Sequence, residues 1–185
     1  LIKAIDYMNY YLSAPIKERY DKARIGELVC RIEASRGAEG FPALSAEQMI
    51  VQMDDAGVEK VFLVAWTMFS YWSQKILIET YLEEIAEVTN KYPHRFVGLA
   101  GYNPFKIMDS LRLIEKAVKD YGFKGVYVHI YGFDIPLNHA RMYPLYAKCQ
   151  ELDVPVSMQV GYVLEAMPSD TGRPAENQTL PSSTV

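Results

Sequence analysis

Cysteine is nearly absent from this 185-residue chain. Cys30 and Cys149 lie far apart, too few for a disulfide framework or a zinc cluster, so a reduced, cytoplasmic setting is the expectation. In that setting the glycosylation triplet at Asn177 carries no weight. Basic runs are also missing. The lysines and arginines are scattered and the net charge is −4, so a nucleic-acid partner is not expected. No apolar stretch approaches the ~20 residues of a membrane span, and the opening Leu-Ile-Lys-Ala-Ile-Asp lacks the layout of a signal peptide, so no membrane partner is expected either. There is no Gly-x-Gly-x-x-Gly turn and no Walker loop, which argues against nucleotide binding. The first residue is not Met, which reads as processing or as an excerpt of a longer chain.

What is present is a repeating grammar. Half the residues are apolar and 23% are charged, as in an ordinary globular chain able to bury one core. Strand-like runs occur at residues 1–6, 60–65, 95–100, 125–130 and 155–160. Helix signals fall between them. Ser45 and Gln48 form a capping box ahead of the stripe Met49, Ile50, Met53 and Ala56, and Gly57 supplies the stop. A helix over residues 73–92 is expected from Ile78, Tyr81, Leu82, Ile85 and Val88, ending at Pro93. Ile107, Leu111, Ile114 and Val118 mark another, closed by Gly122, and Leu145, Cys149 and Leu152 mark one with Pro144 in its first turn. Alternating strands and helices imply a parallel sheet with right-handed crossovers. The expected fold class is α/β, an incomplete (β/α) barrel of about five parallel strands in a single domain over residues 1–185. A doubly wound open sheet would satisfy the same pattern. Residues 13–44 break the rhythm and read as a charged, partly helical insertion over the catalytic face, or as a plain surface excursion. Residues 169–185 have no apolar period and read as an irregular tail.

Several strings together carry a family resemblance. Lys91-Tyr-Pro-His-Arg-Phe-Val-Gly-Leu-Ala100, Tyr121-Gly-Phe-Lys-Gly-Val126, Tyr143-Pro-Leu-Tyr146 and Val154-Pro-Val156 resemble the amidohydrolase-related proteins. These belong to the metal-dependent hydrolase superfamily, which includes decarboxylases of the aminocarboxymuconate-semialdehyde type. Met53-Asp-Asp-Ala-Gly-Val58 and Met167-Pro-Ser-Asp-Thr-Gly-Arg-Pro174 extend the likeness over most of the chain. The resemblance implies chemistry at the C-terminal ends of barrel strands, around a divalent ion that acidifies water or polarises a substrate carboxylate or carbonyl. It also implies ligands from an Asp-x-His-x-His first strand, from histidines on the fifth and sixth strands, and from an eighth-strand Asp. Here the first strand reads Asp6-Tyr7-Met8-Asn9-Tyr10, and Gln159 stands at the fifth-strand position. Thioether, phenol and amide are weak donors for zinc or manganese, so the cofactor is left open and no metal ligands are assigned.

The remaining candidates follow. His129 ends the fourth strand on the same side as Tyr127 and is the best ionisable group, as acid, base or ligand; a half-buried histidine satisfied by backbone is the structural alternative. Asp6 survives from the family pattern and is placed beside it as catalytic, although the resemblance implies that this Asp often has a structural part. Gln159, Tyr10, Trp66 and Arg173 are placed on the substrate, Gln159 through its amide and Arg173 as a carboxylate clamp. His94 and His139 read as solvated. An aromatic lining is expected at the mouth from Tyr7, Tyr10, Tyr11, Trp66, Phe69, Tyr71, Trp72, Tyr102, Tyr131 and Phe133, or else an apolar interface.

Two functions fit these residues. One is a hydrolase or decarboxylase acting on a small carboxylated or cyclic substrate with a degenerate metal site. The other is a non-catalytic small-molecule-binding or interaction protein on the same scaffold. Either way the partners expected are a small molecule and a second copy of the chain, because an incomplete barrel leaves a strand edge open.

Overall fold

The computed structural model describes residues 3–23, 42–70, 74–130 and 132–159. Its elements are β1 (Ala4–Asn9), α1 (Ala14–Ala23), α2 (Ala46–Asp55), β2 (Val58–Val64), β3 (Thr67–Ser70), β4 (Lys75–Glu79), α3 (Leu82–Lys91), β5 (Phe96–Gly101), α4 (Ile107–Lys119), β6 (Val126–His129), α5 (Tyr143–Glu151) and β7 (Val156–Gln159). Five strands form one parallel sheet in the order β1-β2-β5-β6-β7, a curled half-barrel. The parallel α/β reading of the sequence is therefore correct.

The two faces of the sheet have different chemistry, as a period of two requires. Val61, Leu63, Ala65, Phe96, Ala100, Val126 and Val128 face outward and pack on Met53 of α2, Ile85 and Val88 of α3, Ile114 and Ala117 of α4, and Leu145 and Cys149 of α5. Phe62, Val64, Leu99 and Tyr127 line the concave face, joined by Trp66, Met8 and Tyr10 just along their strands. Two elements close over that concave face. The hairpin β3–β4 brings Met68 and Ile78, and α1 brings Tyr20.

The helix caps follow the sequence. Ser45 Oγ accepts from Gln48 N at 3.2 Å while Gln48 Oε1 accepts from Ser45 N at 2.8 Å. Gly57 beyond the helix adopts φ +70, where a side chain would be strained. Leu44 N donates to Leu12 O at 2.9 Å; of residues 13–44, only 13–23 and 42–44 lie within the described residues.

One element needs correction. The single helix expected over residues 73–92 is a strand, β4, followed by the shorter helix α3. Two of the three residues in Ile76-Leu77-Ile78 are β-branched, which favours the strand. Pairing settles the choice: β4 runs antiparallel to β3, with Met68 opposite Ile78. Helix α3 starts only where Glu84 Oε2 reaches back to Tyr81 N at 2.9 Å. The first strand runs on past the expected end at Asp6 to Asn9, so Asp6 lies within it and Tyr10 just past its end.

Candidate functional site

The curl of the sheet creates the site. Strands β1 and β7 are the outermost two of five, and a flat sheet would hold them about 19 Å apart. Instead the hydroxyl of Tyr10, one residue past β1, donates to Oε1 of Gln159 on β7 at 2.9 Å. Tyr127 of β6 donates to the same oxygen at 2.7 Å, and the two phenol oxygens stand 2.5 Å from each other. Two hydroxyl hydrogens thus serve three short contacts, and the two tyrosines compete for Gln159. The result is a compact, polar, uncharged triangle on an otherwise apolar concave wall.

His129 sits one step along the same wall. It is the Cα partner of Gln159 across the β6–β7 ladder, and its ring lies 4.9 Å from that of Trp66. Trp66 in turn stands 4.6 Å from Tyr10. His129 is 7% exposed, and burial pushes its imidazole down to about 4, so it is neutral near pH 7. The helices cover the aliphatic face formed by Val126, Val128 and Ile130, opposite to it. The structure therefore brings His129, Gln159, Tyr10 and Trp66 together, with Tyr127 as a fifth member.

The other candidates lie elsewhere. The carboxylate of Asp6 accepts from Met8 N at 3.2 Å and from Asn9 Nδ2 at 2.9 Å, so it braces its own strand end. Arg173, Tyr71, Trp72 and Tyr131 lie outside the described residues. The expected aromatic lining divides. Tyr7 is 67% exposed, whereas Phe69 stacks on Phe133 at 5.3 Å with Phe105 edge-on. The hydroxyl of Tyr102 donates to the backbone oxygen of Arg141, and Tyr11 joins the outer core.

Sequence reasoning missed Tyr20 and Thr80. Tyr20 comes from a charged stretch and Thr80 from the end of an unrecognised strand, and both reach the concave face beside Trp66. Only the β-branched run at residues 76–80 hinted at the second.

The described residues do not fit a divalent ion. No three His, Cys, Asp or Glu side chains among them stand close enough to share one. The positions that face inward on β1 and β7 offer Met8, Tyr10 and Gln159, and the last two are engaged with each other.

Comparison with known proteins agrees with the architecture. The amidohydrolase family profile matches residues 32–183. A 5-carboxyvanillate decarboxylase from Novosphingobium aromaticivorans, with bound manganese and 3-methoxy-4-hydroxy-5-nitrobenzoic acid, is 18% identical with a TM-score of 0.65, covering 89% of this chain and 53% of that one. A 5-carboxyvanillate decarboxylase from Sphingomonas paucimobilis is 14% identical with a TM-score of 0.67, covering 90% and 54%. A 2,6-dihydroxybenzoate decarboxylase complexed with 2,6-dihydroxybenzoate is 17% identical with a TM-score of 0.60, covering 90% and 53%. The chain thus spans about half the length of the solved structures it matches. With a half-barrel of five parallel strands and a profile match over most of its length, this chain belongs to the amidohydrolase family.

Proposed function

We propose that the concave face holds a small carboxylated or cyclic molecule for hydrolase- or decarboxylase-type chemistry, through neutral hydrogen-bonding groups in place of the family's histidine pair. The observation that carries this is the convergence of Tyr10, Tyr127 and Gln159 from three strands within 2.9 Å of one another, beside a buried neutral histidine. Phenols and an amide offer both hydrogens and lone pairs to a ligand oxygen. Trp66 supplies a flat apolar wall. A neutral imidazole is set to accept a proton from a bound group, or to hold one by hydrogen bond. Asp6 fits a positioning part in this scheme, since its bond to Met8 N orients the strand end that carries Tyr10. Arg173 is retained as the carboxylate clamp suggested by the sequence.

The non-catalytic reading has one observation in its favour, the absence of a fitting ion-ligand set among the described residues. Titration calorimetry with 2,6-dihydroxybenzoate, followed by a carbon dioxide release assay, separates the two. Binding weakened about tenfold by Gln159→Leu supports the pocket. Turnover abolished by His129→Gln adds the catalytic reading, and binding without turnover leaves only the scaffold role. A Gln159→Leu chain that binds like the wild type refutes both. Self-association belongs to the same reading. Among the described residues β1 pairs only with β2, and its Ile5 and Tyr7 are 59% and 67% exposed. Analytical ultracentrifugation of the purified chain checks it, a monomer at all concentrations being the contrary result.

A further inference from the structure

Trp66 stands on the concave face with an aromatic ring on several sides. Its indole lies 4.6 Å from the ring of Tyr10, 4.9 Å from that of His129 and 6.2 Å from that of Tyr20 on α1. The residue is only 4% exposed and shares its cluster with the apolar Val64, Met68, Ile78 and Leu99. Apolar packing of that kind does not by itself fix an indole, because the torsion that swings an aromatic ring is broad and roughly two-fold. The two orientations differ in where the N–H points, and a buried N–H without an acceptor is costly.

The acceptor is Tyr20. Its hydroxyl is hydrogen-bonded to the indole of Trp66 and to the side chain of Thr80. An indole N–H can only donate, so the phenol oxygen accepts from it, and the phenol hydrogen is left for the Thr80 oxygen. Burial raises the ionisation point of Tyr20, which keeps that hydrogen in place throughout the physiological range. Thr80 is tied back to Trp66 by the main chain, its N–H donating to Trp66 O at 2.9 Å. The bonds close a loop. The backbone of Trp66 fixes Thr80, Thr80 fixes Tyr20, and Tyr20 fixes the Trp66 indole. The helix that carries Tyr20 is held by other groups as well. Ile16 is fully buried, and Arg19 gives Glu84 two hydrogen bonds at 2.8 and 2.6 Å, with its guanidinium 4.9 Å from the centre of the Tyr81 ring.

We propose that Tyr20 and Thr80 are positioning residues for the concave-face site, acting on a bound ligand through the indole of Trp66. This role rests on the concave-face reading above and assigns part of the site's shape to α1, outside the sheet. With its N–H held by Tyr20, the indole presents one fixed surface to His129 and to Tyr10, whose hydroxyl belongs to the triangle. A flat ring bound there meets the wall in a single orientation. Without the loop it meets a mixture of orientations, and its affinity falls in proportion to the competent fraction.

The test combines titration calorimetry with 2,6-dihydroxybenzoate and the NMR signal of the Trp66 Nε1–H, read in a Trp72→Phe background where Trp66 is the one tryptophan left. Tyr20→Phe keeps the ring and removes the hydroxyl. It should move the Trp66 signal upfield in the ligand-free chain, as loss of an acceptor requires, and weaken binding about tenfold. Thr80→Val should do the same in both measurements, and Thr80→Ser, which keeps the hydroxyl, should rescue both. Gln159→Leu is the control and should weaken binding without the upfield shift. A Tyr20→Phe chain whose Trp66 signal stays in place overturns the positioning role. So does a shifted signal with wild-type binding; if Gln159→Leu binds weakly in that case, the concave-face reading still stands. Equal losses in Thr80→Ser and Thr80→Val assign the effect to packing and overturn the role too. A wild-type chain that takes up no 2,6-dihydroxybenzoate removes the concave-face reading and the positioning role with it.

Discussion

His129 makes the stability of this chain depend on pH between the imidazole's ordinary value and its buried one. In the unfolded chain an imidazole takes its proton near 6.5, whereas burial in the folded chain delays protonation to about 4. Between those values the unfolded state binds more protons, so stability falls as pH falls, starting near 6.5 and complete below about 4. A shift of that size corresponds to about 3 kcal/mol in full, of which about 2 kcal/mol is gone by pH 5. Carboxylates enter later. Glu18 beside Lys22, Glu83 beside Lys116 and Glu115 beside Lys119 are all held down, so their contributions fade only below the ordinary carboxylate range. Urea unfolding at pH 7 and pH 5 reads the difference: the wild-type midpoint should drop by about 1 M, and that of His129→Gln should barely move. Proton NMR of the imidazole gives a direct check that does not depend on the variant folding. An imidazole titrating above pH 6, or equal loss of stability in both chains, would refute the argument.

Three substitutions test the packing by urea or thermal unfolding. Gly132→Ala would set its Cβ 1.5 Å from the backbone oxygen of Phe69, which no side-chain rotation relieves, so a loss of about 3 kcal/mol or more is expected. Ile114→Ala empties a fully buried position between α4 and the sheet and should cost about 3 kcal/mol. Ser45→Ala removes the acceptor for Gln48 N at the start of α2 and should cost about 1 kcal/mol, while a chain of unchanged stability would mean the cap is not formed in solution.

The fold was legible because its signals are local. The buried strands β2, β5 and β6 are apolar runs each followed by a helix stripe, and Gly57 and Gly122 stand past helices α2 and α4 with positive φ. The hairpin β3–β4 was not legible for a related reason. Residues 76–88 carry apolar side chains at spacings compatible with either period, and only Met68, on a separate strand, decides for Ile78. A pairing partner ten residues away leaves no mark on local periodicity.

The site was legible only along single strands. Tyr127 and His129 share a side by the strand period alone, and their register with β7 follows once neighbours are known. That Tyr10 meets Gln159 depends on how far the sheet curls, a property of the whole half-barrel that no residue announces. Asp6 shows the opposite failure. A carboxylate in a family-like position reads as chemistry, yet its two acceptor bonds lie within three residues, where a short acidic side chain competes for nearby backbone and amide hydrogens. Tyr20 lay deepest in the noise, on a helix rich in Lys17, Glu18, Asp21 and Lys22. All four pair along the helix at i,i+4, and all but Lys17 are mostly solvent-facing. The charges that make α1 look like surface are what allow its one inward face to carry Ile16 and Tyr20 onto the sheet, since an amphipathic helix needs both sides to choose an orientation.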